Sequence, residues 1–303
     1  VSPDGPEHRS GHVAIAGAPN VGKSTLLNAL VGAHLSIITA RPQTTRRNLI
    51  GVLTGSGFQA VLVDTPGLLD PAYRLQSLMR RHAVQAIESA DVLLLLVDAQ
   101  RATASGFDPD RLTADALGIA GGRVPVILAL NKVDLVHKPS LLPLLAHYHG
   151  SGDFQAVVPI SALAADGLEG LMDEVRRFLP PGPALYPEDT LTDQPERFFA
   201  AEYVREAVFE RYYQEIPYTV ATQVEEFRRG RGKTYIRVVV WVEEERHRPI
   251  LLGKGGRGVK AVGRAARERI EALLEEPVYL EIFVKVVPGW REQDGRLREL
   301  DLF

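Results

Sequence analysis

The sequence predicts two folded units in series: an α/β domain built on a mainly parallel sheet over residues 11–179, then a small α+β domain over 196–287. Three observations carry this. Short, almost wholly apolar runs alternate with helix-like stretches through the first half, as expected of strands covered on both faces by helices. Residues 180–195, PPGPALYPEDTLTDQP, hold five prolines, too many for a regular element, so this stretch is the expected linker. Beyond it, two alternating runs joined by a basic turn mark a strand pair. A length of 303 residues suits two domains, each with its own core.

Taken in order, the polar opening VSPDGPEHRS (1–10) is an expected flexible end. HVAIAG predicts the first strand and KSTLLNALVG the first helix, followed by the strands FQAVLVD, VLLLLVD, VPVILALN and AVVPISA. GIAGGRVP is a turn before a strand, and HYH at 147–149 a solvated helix end. The second domain reads as a helix over 196–214, strands YTVATQVEEF and KTYIRVVVWVEE joined by RRGRG, a helix entered through LLGKGGRGVKAVG, and the strand VYLEIFVKVV. Residues 288–303 form a charged tail containing Trp290.

The net charge of −3 excludes a globally basic coat for nucleic acid, so contact with a polyanion must come from a local patch. Cysteine is absent, which removes disulfides, thiolate metal sites and cysteine nucleophiles. The longest apolar runs, 92–97 and 124–130, are strand length and far short of a membrane span; no secretory leader is expected, and a cytoplasmic monomer fits this. Of seven lysines, four (Lys23, Lys132, Lys254 and Lys260) fall in the loops described next.

GAPNVGKS fits G-x-x-x-x-G-K-[ST], follows an apolar strand and opens a helix, which is the context a phosphate-cradling loop requires. Gly17 and Gly22 let the loop wrap the β-phosphate, Lys23 bridges the β- and γ-phosphates, and Ser24 offers a hydroxyl to Mg²⁺; Asn20, Val21 and Thr25 complete the nucleotide-binding candidates. DTPG at 64–67 puts Asp64 at a strand's carboxyl end, within reach of the Mg²⁺ shell, and the Gly67 N–H within reach of a γ-phosphate. NKVD at 131–134 ends another strand. The Asp134 carboxylate only accepts, which suits the N1–H and 2-amino donors of guanine and disfavours adenine. Asn131 and Lys132 belong to the same motif, and Ser161, Ala162 and Leu163 end the next strand, where their N–H groups suit the guanine 6-oxo oxygen.

With these motifs, the first domain resembles the translation-factor-related small GTPases of the Era family. The resemblance implies GTP hydrolysis to GDP and a switch loop, here ITARPQTTRRN, whose TTR element matches the family. Thr45 is then the Mg²⁺ ligand that senses the γ-phosphate, with Thr44, or an ordinary loop role, as the alternative. Lys23, Thr45 and Gly67 are the catalytic candidates. Ras-like GTPases orient water with a glutamine after the DxxG glycine, but this chain has Leu68, which cannot hydrogen-bond, so intrinsic turnover is expected to be slow. In related potassium-using GTPases an asparagine at the Asn20 position helps hold K⁺; the alternative is that Asn20 only shapes the loop.

GKGG at 253–256 fits the G-x-x-G clamp that holds single-stranded nucleic acid in KH domains. Gly253, Gly255 and Gly256 allow close backbone approach, and Lys254, Arg257 and Lys260 meet the sugar-phosphate chain. Seven basic residues stand against two acidic ones from 248 to 271. Taken alone, a G-x-x-G is common and reads as a helix cap beside a solvated arginine face. The element order resembles a type II KH fold, and YPEDTLTD and VKVVPGW resemble Era-family segments, so the resemblance runs from about residue 11 to the tail. It implies binding of the 3′ end of small-subunit ribosomal RNA during assembly of the small ribosomal subunit. Trp241 and Trp290 are either packing residues or base-stacking platforms. The competing reading is a regulatory GTPase whose second domain is an adaptor for protein or for the inner membrane face. The linker is expected to let the second domain move.

Overall fold

The chain, described by a computed structural model over residues 8–39, 41–105 and 111–303, divides into two compact units. The expectation for residues 1–7 lies outside the described residues.

In the first unit, β1 (Arg9–Gly17), β2 (Leu49–Gly55), β3 (Phe58–Asp64), β4 (Val92–Asp98), β5 (Val126–Asn131) and β6 (Ala156–Pro159) form one sheet in the order β2-β3-β1-β4-β5-β6. All neighbours are parallel except β2 and β3. The helices are α1 (Lys23–Val31), α2 (Arg74–Glu88), α3 (Ala99–Ala104), α4 (Arg111–Ala120), α5 (Lys138–Gly150) and α6 (Leu168–Phe178). All seven residues of β4 are buried, as are all six of β5, which is why both read as unbroken apolar runs. Registers Ile15↔Asp64 and Asp98↔Asn131 bring the carboxyl ends of four strands to one edge, where α/β sheets bind ligands.

Three features depart from the sequence expectation. Arg9 and Ser10 belong to β1, paired with Phe58 and Gln59, so the domain begins earlier than residue 11. β2 carries no apolar alternation because Gly51 lies under α1: a Cβ there would meet Leu27 and Val31 at 2.7 and 2.8 Å. The proline-rich linker is a strap rather than a free tether. Leu185 and Tyr186 N–H groups donate to Gln59 Oε1 at 2.7 and 2.8 Å, and the Val52 N–H donates to the Leu191 carbonyl at 2.8 Å.

The second unit holds α7 (Glu196–Arg211), α8 (Ile216–Thr219), β7 (Ala221–Arg229), β8 (Thr234–Val242), α9 (His247–Leu252), α10 (Arg257–Leu274), β9 (Val278–Val286) and α11 (Asp294–Glu299). β8 is central, antiparallel to β7 and parallel to β9. α7 and α10 pack on one face of this sheet, against Ile236, Val238 and Val240, each fully buried. Residues 37–44 and 72–78 belong to this unit as well. The Ile38 N–H donates to Glu206 Oε1 of α7 at 3.1 Å, and Glu206 also pairs with Arg269 of α10 at 3.2 Å.

The charged tail is folded. Trp290 is fully buried and its indole N–H donates to the Thr219 carbonyl at 2.9 Å; Trp241 is 1% exposed. Both rings are therefore packing residues rather than stacking platforms. Trp290→Ala removes a large buried ring and strands a carbonyl, so it should destabilise the second unit by about 3–5 kcal/mol, read as a lower urea midpoint.

Candidate nucleotide site and glycine-loop face

Backbone shape comes first at the strand-end edge of the first unit. Gly17 (φ 144°), Asn20 (φ 65°) and Gly22 (φ 101°) give the loop before α1 its left-handed turns. A Cβ on Gly22 would stand 2.3 Å from Asn131 Nδ2, and one on Gly67 3.1 Å from Pro19. The loop is thus enclosed by the NKVD and DTPG segments.

Buried charge organises the interior. Asp64 is inaccessible, and its Oδ2 accepts from Ser24 (2.7 Å), Ser36 (2.8 Å) and Thr45 (3.2 Å). Its Oδ1 is buried with no hydrogen-bond partner. Burial pushes the Asp64 carboxyl above its ordinary range, and Lys23 and the three hydroxyls oppose that. Burial likewise lowers the Lys23 ammonium to about 8, opposed by Asp64. Lys23 Nζ donates to the Gly17 and Ala18 carbonyls at 3.1 and 3.0 Å, lying across the loop. An orphaned carboxylate oxygen beside two hydroxyls is an all-oxygen donor set that fits a hard divalent cation. Thr45, rather than Thr44, joins this cluster. Leu68 is fully buried, so it faces the core.

The base-reading segment is tied to the same loop. Asn131 Nδ2 donates to the Val21 carbonyl at 2.7 Å, and its Oδ1 accepts the Ala162 N–H at 2.9 Å. Lys132, itself left-handed at φ 66°, donates from Nζ to the Asn20 carbonyl and to Asp98 Oδ2, both at 2.7 Å. Asp134 is exposed at the mouth, while Ser161 and Ala162 are buried and Leu163 is 81% exposed. Thr25 lies in α1 one residue beyond Ser24.

Three residues here escaped the motif reading. Ser36 donates to Asp64, and Asn28 holds it by accepting the Ser36 N–H at 2.9 Å. Asp98 both caps α3 through Oδ1 and anchors Lys132 through Oδ2. Its signal was its position, an acid ending an apolar strand exactly as Asp64 does.

In the second unit, Gly253, Gly255 and Gly256 all have positive φ (69°, 60° and 77°), a turn that side chains resist. A Cβ on Gly253 would stand 2.8 Å from the Gly258 nitrogen. Lys254, Arg257 and Lys260 are exposed at the start of α10, and with Arg248 they make no ion pair among the described residues. The broader basic face is smaller than its sequence count. Arg264 and Arg267 pair with Glu268 and Glu271, and Arg269 pairs with Glu206 and Glu210. Net positive charge is left at the glycine loop and the first turn of α10.

Fold and site together define a P-loop guanine-nucleotide domain followed by a KH domain. The profile of the family described as 50S ribosome-binding GTPase matches residues 12–132, and that of the KH domain matches 215–291. GTPase Era of Ruminiclostridium cellulolyticum is 40% identical over 97% of each chain, and that of Geotalea uraniireducens 42% identical over 97% of each. Two solved structures each superpose with a TM-score of 0.92 at 37% identity, covering 97% of this chain and 99% of theirs. One is Era in complex with MgGDPNP and nucleotides 1506–1542 of 16S ribosomal RNA; the other is a tyrosine-to-alanine variant of Aquifex aeolicus Era bound to GDP·AlF4⁻. This chain belongs to the GTPase Era family.

The two roles of Asp98 can be separated. Asp98→Asn keeps an oxygen for the α3 cap but sets a neutral amide against Lys132, so melting should change little while guanine nucleotide affinity falls roughly tenfold. Asp98→Ala should lose both, with about 1 kcal/mol of additional destabilisation. Titration with a fluorescent GDP analogue, alongside thermal unfolding, checks the pair.

Proposed function

We propose that this protein hydrolyses GTP and uses its nucleotide state to control how its KH domain holds the 3′ end of small-subunit ribosomal RNA during assembly of the small ribosomal subunit. The observation that carries this is the coexistence, in one chain, of the Asp64 cluster with its base-reading loop and a positively charged G-x-x-G turn. The solved relative holding MgGDPNP and 16S ribosomal RNA supports the same pairing of ligands.

Ser24, Thr45 and Asp64 would hold Mg²⁺, which when bound neutralises charge on the β- and γ-phosphates. Lys23 lies along the phosphate loop and donates to the phosphates, the Gly67 N–H addresses the γ-phosphate, and Asp134 accepts from guanine. Leu68 is committed to the core, so water is oriented by backbone groups, by Thr45 or by a partner, and slow intrinsic turnover follows. Control of RNA binding draws support from residues 37–44, which lead directly into Thr45. Ile38 of this segment is bonded to Glu206, the partner of Arg269 on the helix that opens at the glycine loop. A cytoplasmic setting fits, since no helix among the described residues is long and apolar enough to cross a membrane.

Asn20 is read as a K⁺ ligand that offsets charge developing in phosphoryl transfer. Turnover in KCl should exceed turnover in NaCl at equal ionic strength, and equal rates would remove potassium from the reading. For the KH site, Lys254→Asp with Gly255→Asp should lower affinity for an RNA from the ribosomal 3′ end by a hundredfold or more and leave GTP turnover in the absence of RNA unchanged. Retained RNA binding, or RNA binding lost only together with turnover, would overturn the clamp.

A further inference from the structure

The glycine loop is not the only nucleic-acid-like surface of the second unit. The sheet face opposite α7 and α10 is set by register: Tyr235, Arg237, Val239 and Trp241 of β8 lie beside Tyr279, Glu281, Phe283 and Lys285 of β9. Trp241 and Val239 are buried on this face (1% and 4% exposed), so its open part lies at Tyr235, Tyr279 and Phe283. Tyr279 is 47% and Phe283 52% exposed, on a strand that among the described residues pairs only with β8. The Tyr235 and Tyr279 rings stack at 5.8 Å with 13° between planes, and the Tyr235 hydroxyl donates to Glu281 at 2.8 Å, which fixes the pair.

Cations are interleaved with these rings. Lys233 lies 4.8 Å over Tyr279, Arg237 5.6 Å from Phe283, and Lys285 5.9 Å from Trp241. Of the acids beside the rings, Glu226 pairs with Arg228 and Arg237, and Glu281 with Arg237. Lys233 and Lys285 have no acidic partner among the described residues. A hollow of about 630 Å³ is lined by Phe283, Arg237, Val239, Lys285 and Arg248 together with the acids Glu225 and Glu245. Arg248 sits on α9, the helix that leads into the glycine loop.

We propose that this sheet face is a second RNA surface, on which unpaired bases stack against Phe283 and beside the Tyr235–Tyr279 pair while Lys233 and Lys285 meet the flanking phosphates. Exposed rings spaced by free ammonium groups complement a chain that alternates flat bases with anions. A protein partner would use the rings but has no regular anion to answer the two unmatched lysines. A clamp of this type grips about four nucleotides. The sheet face extends the footprint, so a longer RNA gains affinity that a short one cannot.

The test uses the full chain and fluorescein-labelled random-sequence RNA pools of 6 and 18 nucleotides. The 6-mer reports the glycine loop alone; the 18-mer reports loop and sheet. Phe283→Ala with Lys285→Glu should weaken the 18-mer roughly tenfold or more, lower its salt dependence by about 0.7 per lost phosphate contact, and leave the 6-mer unchanged. Gly255→Asp should weaken both lengths, which separates failure of the clamp from failure of the sheet surface. Ultraviolet cross-linking of the unmodified protein to the 18-mer should mark Tyr279 or Phe283, and Lys285→Glu alone repeats the affinity test should the double variant unfold. Equal weakening of both lengths, an unchanged 18-mer, or cross-links confined to the glycine loop would each overturn the proposal.

Discussion

Everything at the nucleotide edge turns on one inaccessible carboxylate. An isolated charge buried as Asp64 is would cost several kcal/mol, and the fold offsets that by bringing three hydroxyls to a single oxygen and Lys23 nearby. Those hydroxyls come from separate pieces of chain: Ser24 from α1, Ser36 from the loop after it, and Thr45 from the segment leading to β2. Neutralising one side chain therefore folds the phosphate loop, the following loop and β3 into one object. The other oxygen is buried without a donor, which leaves an acceptor that a cation would satisfy.

A second set of restraints shares the same logic. Lys132 and Asn131 each send a side-chain nitrogen into carbonyls of the phosphate loop, at Asn20 and Val21. Base recognition and phosphate recognition are thus one rigid network, stabilised through Asp98. On the other unit, Glu206 is 1% exposed and bonded to both Ile38 and Arg269. Removing one partner of such a buried acid is costly. A shift in the segment that carries Ile38 therefore has an energetic consequence at α10, where small surface contacts would have none.

The parallel sheet was legible because β4 and β5, and β1 from Val13 onward, are buried on both faces and run apolar. β2 was not, because its Gly51 serves the close approach of α1 and its Gly55 that of the Phe58 ring, rather than strand propensity. The phosphate and base motifs were legible as spacings on strand ends. Ser36, Asn28 and Asp98 were not, because each acts on a residue distant in sequence, and a lone serine or terminal aspartate has no spacing to betray it. Proline content in 180–195 correctly excluded regular structure, but absence of a helix or strand does not imply freedom: carbonyls and N–H groups there bond to Gln59 and β2. The two tryptophans drew notice by rarity and proved to be core. The exposed rings lie instead in VYLEIFVKVV, where the alternation places Tyr279, Phe283 and Lys285 on one side.

The two Gly-Lys loops show how similar strings serve different anions. In the first, left-handed turns wrap inward, Lys23 is buried, and Asn131 and Pro19 leave no room for a Cβ on Gly22 or Gly67. Such a loop closes around a compact phosphate group. In the second, a Cβ on Gly255 or Gly256 would meet nothing within 4 Å, and Lys254 is exposed. There, glycine supplies turn geometry on an open surface, beside unpaired cations and an aromatic sheet. Enclosure suits a ligand with an end, whereas an open, one-sided surface lets a polymer pass across it; the same residue types are sorted between the two tasks by what packs behind them.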